Sequence, residues 1–197
     1  MTDSPKPGKR ERLAEAAARV LHEQGVEKTT IADIARAADV PVGNVYYYFK
    51  TKDQLVQAAI DTHARTLAGL TASLEQRHTT PAEQLKALVQ GWVDQRETAA
   101  RHGCPTGTLC SELDKRDDGG LDRAAAALMG RLVDWADARF AAMGRTDHRE
   151  LAVALVAAYQ GISLLTNTFR DPALMEAEGR RLTRWIDELA AQAQRPT

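Results

Sequence analysis

The sequence predicts an all-α protein of about nine helices. Alanine, leucine and arginine dominate its 197 residues, and aromatic residues make up only 5%. No stretch alternates apolar and polar residues as a half-buried strand would. Helix caps recur along the whole chain, each followed by apolar residues at helical spacing. The length allows one or two domains, each with a core of its own.

The elements follow in order. Met1 to Gly8 is polar and proline-rich and reads as a flexible arm. Over 9–24, Leu13, Ala16, Ala17, Val20 and Leu21 form one stripe, with Gly25 as the stop. Thr30 and Asp33 form a capping-box-like start to a short helix reaching Ala38. Asp39-Val40 breaks the pattern, and Pro41 to Asn44 opens a second short helix to Phe49. Thr51 to Gln54 starts a helix to about Glu75. Thr80, Pro81 and Glu83 combine a cap, a first-turn proline and the third-position glutamate. The helix behind them carries Leu85, Leu88, Val89 and Trp92 and ends near His102-Gly103. Pro105 and Gly107 interrupt the chain before a short helix from Leu109 to Lys115, and Asp117 to Gly120 is a loop. Helix 121–143 places Leu121, Ala125, Leu128, Leu132 and Trp135 on one stripe. Asp147 to Glu150 caps a helix to about Thr168, and Asp171-Pro172 starts the last, ending near Gln194.

Composition narrows the function. The net charge is −1, and residues 1–60 hold nine Lys/Arg against eight Asp/Glu. Any nucleic-acid affinity must therefore come from placed contacts, not from a strongly cationic domain. No apolar run approaches the roughly 20 residues that span a bilayer, and no signal-peptide core follows the start. A soluble cytoplasmic protein is the expectation. Cys104 and Cys110 are too few for a zinc site and should stay reduced, so neither metal nor cofactor is expected.

The string from Thr29 to Leu55 carries the function. Two short helices joined by a tight turn let the second lie in a DNA major groove while the first braces it. Ile31, Ile34, Ala35, Val40 and Val45 fit the small core of such a pair, and Ala38 lets the helices approach. Asp39 sits where the turn favours a left-handed residue. The pattern Ala35-x-x-x-Asp39-Val40, then Pro41-Val42-Gly43-Asn44-Val45-Tyr46-Tyr47-Tyr48-Phe49, then Lys52-Asp53-Gln54-Leu55, resembles the DNA-binding domain of the TetR family. The likeness runs from Arg10 to Leu55, with Asp39 replacing a usual glycine and Pro41 a usual serine. It implies a three-helix helix-turn-helix domain over 9–55 and a larger helical ligand-binding and dimerisation domain over 56–197.

The same resemblance implies a regulator, acting as a repressor, that binds a palindromic double-stranded DNA operator as a homodimer. Its DNA-binding residues would be Thr30, Val42, Gly43, Asn44, Tyr46, Tyr47, Tyr48 and Lys52. Asn44 can hydrogen-bond an adenine edge or a phosphate, and Val42 can touch a thymine methyl. The tyrosine hydroxyls suit phosphates, with Tyr48 at a backbone-contact position. Lys52 opposes its helix dipole, a placement that makes sense if a phosphate docks there, and Thr30 starts another helix in the same way. Direct base readout is thin, so specificity leans on DNA shape. Three successive tyrosines taken alone would read as packing residues; the full spacing favours DNA. Lys9, Arg10 and Arg12 either reach the DNA or form a solvated tail.

In the TetR family the C-terminal domain binds a small molecule and dimerises through its last two helices. Leu151, Leu155, Ala158, Ile162 and Leu165 form a stripe, with Ala154, Ala157 and Gly161 allowing close approach; Leu182, Trp185, Ile186 and Leu189 form a second. These faces suit either a four-helix seam between two chains or an intrachain core. His102 to Leu113 resembles the G-C-P-x-G-x-L-x-x-E-L segment of the LmrA/YxaF-like branch, a kinked entry to a short helix placed to act as a lever. Cys104, near His102 and Arg101, suits an electrophile- or redox-sensing thiol or a half-buried structural cysteine. A thiol enzyme using Cys104 and His102 lacks an orienting carboxylate and a nucleophile elbow, so no catalytic residue is assigned. Trp92, Cys104, Leu109, Leu113, Leu128, Trp135 and Tyr159, with Phe140, would wall a cavity for a hydrophobic effector or simply fill a core.

Overall fold

A computed structural model describes residues 8–116 and 120–193. Those residues form ten helices and no strand: α1 (Lys9–Gln24), α2 (Ile31–Ala37), α3 (Val42–Tyr48), α4 (Lys52–Arg77), α5 (Pro81–Asp94), α6 (Arg96–His102), α7 (Pro105–Leu113), α8 (Leu121–Ala142), α9 (His148–Phe169) and α10 (Pro172–Ala193). Gln95 alone separates α5 from α6, and the sequence reads them as one rod, which gives its count of nine. The break has a tertiary partner: Arg96, just past it, pairs with Glu176 on α10 at 2.8 Å. The arm over residues 1–7, most of the Asp117–Gly120 loop and Gln194 lie outside the described residues.

The chain divides into two compact units. One comprises residues up to Thr66 together with Thr108–Leu128; the other comprises Leu67–Gly107 and the chain from Met129 onward. In the first, α1 buries the stripe that its spacing marked, Leu13, Ala16, Ala17, Val20 and Leu21. Gly25 closes that helix with φ 84, a conformation that favours glycine. In the second, Leu85, Leu88, Phe140, Leu155, Met175 and Ile186 are fully buried in one cluster. α5 begins with the capping box the sequence marked: the Thr80 hydroxyl accepts the Glu83 N–H at 3.3 Å, and the Glu83 carboxylate accepts the Thr80 N–H at 3.1 Å. α10 lies so close to α5 that a Cβ on Gly179 would collide with Val93.

The two C-terminal stripes, apart from the exposed Leu165, resolve as intrachain core. Leu155, Leu182, Ile186 and Leu189 are buried, and Leu151, Ala158, Ile162 and Trp185 pack against the same cluster. The opposite face of α9 is left open, with Val153, Ala154, Ala157, Gly161, Leu164, Leu165 and Phe169 exposed. α9 also departs from the expectation of no membrane-length apolar segment, since over 22 residues it is long and apolar enough to cross one. A helix apolar on two sides has two surfaces to bury, and this chain covers one.

Candidate nucleic-acid interface

The helix-turn-helix is built from local hydrogen bonds. Thr30 caps α2 reciprocally: its Oγ1 accepts the Asp33 N–H at 3.2 Å, and Asp33 Oδ2 accepts the Thr30 N–H at 3.0 Å. The Thr30 hydroxyl also donates to that carboxylate at 2.6 Å. These bonds from Thr30 hold the Asp33 carboxyl below its ordinary pKa. Thr29, almost wholly buried, donates to the Gly25 carbonyl at 2.6 Å. After α2 the chain turns at Asp39 with φ 51, the left-handed conformation expected there. Val40 N–H then bonds back to the Ala35 carbonyl at 3.0 Å.

Pro41 fits the start of α3, because its carbonyl accepts the Asn44 N–H at 2.8 Å and the position demands no donor. From there the periodicity sorts the side chains. Val45 and Phe49 are buried, while Val42, Gly43, Asn44, Tyr46 and Tyr47 are exposed. Tyr47 is 79% exposed. Tyr48 is half-buried and meets the Tyr47 ring edge-on at 5.0 Å. A Cβ on Gly43 would find nothing within 4 Å, so no internal packing demands that glycine. Seven residues make a rod of about 10 Å, short enough to seat in a major groove about 12 Å wide.

The cations around this face have internal partners. Arg12 Nη1 reaches the Asp39 carbonyl at 3.4 Å, and Arg19 reaches that of Ala37 at 3.1 Å. The Arg10 guanidinium lies 5.4 Å from the centre of the Phe49 ring. Arg10 and Arg12, candidates for DNA contact in the sequence, therefore also brace the motif; Lys9 is exposed. Lys52 Nζ donates to the Glu27 carbonyl at 3.1 Å, tying the start of α4 to the α1–α2 loop. Sequence reasoning missed Lys50, which is exposed and caps α3 by donating to the Tyr46 carbonyl at 2.6 Å. Its only signal was a lysine just after the aromatic cluster.

The candidate ligand residues fall in both units. In the second unit Trp92 and Tyr159 stack, with ring centres 4.1 Å apart and planes 11° from parallel. Burial, with Cys104 beside it, raises the Tyr159 phenol well above its ordinary pKa. Cys104 is buried, and its sulfur accepts the Gly107 N–H at 3.3 Å and Gln160 Nε2 at 3.6 Å. A Cβ on Gly107 would collide with Gln160 Oε1. The Cys-Pro-x-Gly string thus starts α7 and leaves a notch for Gln160. Further along α9, the Ser163 and Thr166 hydroxyls are buried without a hydrogen-bond partner among the described residues. Trp135 is engaged differently, its indole N–H donating to Glu75 at 2.7 Å. Phe140 is core, against Trp185. Leu109, Leu113 and Leu128 are buried residues of the first unit.

Known proteins share both halves of this design. Residues 13–59 match the family of bacterial regulatory proteins called tetR, and residues 81–182 match the tetracyclin repressor-like C-terminal domain. An uncharacterized HTH-type transcriptional regulator of Mycobacterium tuberculosis is 30% identical over 183 residues, covering 89% of this chain and 92% of that protein. The HTH-type transcriptional repressor KstR2 of Mycolicibacterium smegmatis is 31% identical over 87 residues, 44% of this chain and 42% of its own. The crystal structure of a TetR transcriptional regulator from Legionella pneumophila has the same fold, with a TM-score of 0.80 over 95% of this chain and 98% of that one at 18% identity. The chain belongs to the TetR family, whose members are helix-turn-helix regulators of transcription and not enzymes.

Proposed function

We propose that the protein is a cytoplasmic, ligand-responsive repressor that binds a palindromic operator as a homodimer and is released by a small effector. One observation carries the DNA-binding part. α3 turns Val42, Gly43, Asn44, Tyr46 and Tyr47 to solvent from a short helix whose other face is buried. An exposed cluster of large side chains on a rigid element is a recognition surface more often than a surface accident. Val42 and Asn44 read base edges there, while the tyrosine hydroxyls and Lys52 take phosphates. Thr30 contributes by capping α2.

Dimerisation is assigned to the last two helices, through the open face of α9. Leu164 and Phe169, 66% and 65% exposed, are its largest apolar projections, and Ala157 and Gly161 allow a second helix to come close. A symmetric dimer presents two α3 helices to major grooves about 34–36 Å apart, and an effector that favours another spacing releases the DNA.

The effector site is assigned to the Trp92–Tyr159 stack with Cys104 and Gln160. Tyr159, Ser163 and Thr166 follow one another at helical spacing, so two unpaired buried hydroxyls continue the same face of α9. Such hydroxyls call for a partner, which points to a planar, largely apolar effector with polar groups at one end. The likeness of the His102-to-Leu113 string to the G-C-P-x-G-x-L-x-x-E-L segment supports assigning the ligand domain to the LmrA/YxaF-like branch. A thiol-sensing variant of this reading uses Cys104, because oxidising a sulfur that accepts the Gly107 N–H disturbs the start of α7.

Selection of duplexes from a randomised library by the purified protein tests the proposal. Enrichment of a palindrome bound by one dimer is the outcome it requires. Enrichment of nothing, or of sites without two-fold symmetry, overturns it.

A further inference from the structure

The later turns of α7 belong to the first unit, where Glu112 meets the loop leading into α2. Glu112 Oε2 accepts the backbone N–H of Val26 at 2.5 Å, across 86 residues of chain. Val26 is buried, so that N–H needs a partner from within the protein. Gly25 sits beside it with φ +84, and a Cβ there would come 2.9 Å from Glu112 Oε1. The carboxylate occupies the space a side chain at position 25 would need. Two further bonds hold the same loop. Thr29 Oγ1 donates to the Gly25 carbonyl and Lys52 Nζ to that of Glu27, and the next residue, Thr30, caps α2. Just past α7, Arg116 pairs with Asp53 in the first turn of α4 at 3.0 Å. A cleft of about 650 Å³ lies among these groups, with Lys28, Lys52 and Lys115 on its walls.

We propose that Glu112 is a positioning residue for operator binding, an inference that rests on the DNA-binding reading above. Its carboxylate fixes the loop from Gly25 to Thr29, the loop fixes the start of α2, and α2 fixes α3 through the turn at Asp39. The helix-turn-helix is therefore complete only with the segment around Glu112 in place, although that segment lies far beyond the DNA-binding region in sequence. Removing the carboxylate orphans a buried N–H and frees the loop to move α2 as a body. The side chain touches no DNA in this scheme. It acts on specific binding, which needs α3 in register with base edges, and not on loose phosphate attraction.

Three variants of the full-length protein test this: Glu112→Ala, Glu112→Gln and Gly25→Ala. Each is measured against the duplex that the parent selects and against a random duplex, with the Val26 amide followed by hydrogen exchange. Glu112→Ala should weaken the selected duplex about tenfold or more and leave the random duplex within about twofold, while speeding exchange at Val26. Glu112→Gln keeps an acceptor oxygen and should recover most of the loss. Gly25→Ala, which keeps Glu112 but forces it off the loop, should reproduce the loss. Binding of the selected duplex by Glu112→Ala within about twofold of the parent overturns the proposal, as does an equal loss on both duplexes. A parent that selects no duplex overturns the DNA-binding reading and the proposal with it. Selection by the parent with an indifferent Glu112→Ala overturns the proposal alone.

Discussion

Arg12 on α1 holds Asp39, the left-handed residue of the helix-turn-helix, with Nη1 3.4 Å from its carbonyl oxygen and 3.8 Å from its carboxylate. The carboxylate is fully exposed, so the ion pair itself contributes little. Backbone conformation decides what fits at this position. Asp39→Gly should leave stability within about 0.5 kcal/mol of the parent, while Asp39→Val should cost about 1–2 kcal/mol, because a β-branched residue resists positive φ. Urea denaturation gives the ranking, and equal losses for the two variants would remove the turn from the explanation.

His63 on α4 should make stability pH-dependent. Burial, and secondarily the charge of His22, lower its pKa from the ordinary 6.5. The folded state therefore favours the neutral ring, and the unfolded chain binds the proton first. Its contribution is complete above about pH 6.5, falls as the pH drops below that value, and stops changing once the pH is below the lowered folded pKa. The urea midpoint of the parent should fall between pH 7.5 and 5.5, and that of His63→Gln should fall less. Identical pH profiles would assign the dependence to other groups.

The hydroxyls of Ser163 and Thr166 offer a sharper contrast. Neither has a hydrogen-bond partner among the described residues, so Thr166→Val should leave stability without effector unchanged or slightly raised. If Thr166→Val instead destabilises by more than about 1 kcal/mol, the hydroxyl already makes a bond in the free protein. The effector assignment then loses its polar anchor.

Charge placed on the open face of α9 should separate the proposed dimer. Leu164→Glu and Phe169→Glu substitute exposed side chains, so each monomer should keep its helical signal and its unfolding cooperativity. Sedimentation should nevertheless show a weaker self-association. A dimer unaffected by both changes would move the interface elsewhere.

Much of the architecture was legible because it is local. Thr30 with Asp33 and Thr80 with Glu83 form capping boxes where the sequence marks them, and Asp39 takes positive φ. The pattern of α3 likewise sorted Val45 inward and Tyr47 outward. What sequence could not supply depends on distant partners. Leu155 and Ile186 belong to apolar stripes that suit a dimer seam as well as a core, and only tertiary packing decides between them. Periodicity placed Trp92 and Tyr159 on helices but not in contact. Arg12 read as a DNA contact or part of a solvated tail, because nothing in its neighbourhood announces Asp39, 27 residues away. Glu112 carried a motif position without a reason until Val26 and Gly25 came beside it.

The most direct test of the recognition face is the salt dependence of binding to the selected duplex, measured by fluorescence anisotropy for the parent, Tyr47→Ala and Lys52→Ala. Tyr47 is exposed, so its variant should melt with the parent and yet bind about three- to tenfold more weakly. Lys52→Ala should weaken binding at low salt and reduce the slope of log affinity against log salt by about 1. Binding by both variants with the parent's affinity and slope would mean that α3 and the start of α4 do not face the DNA.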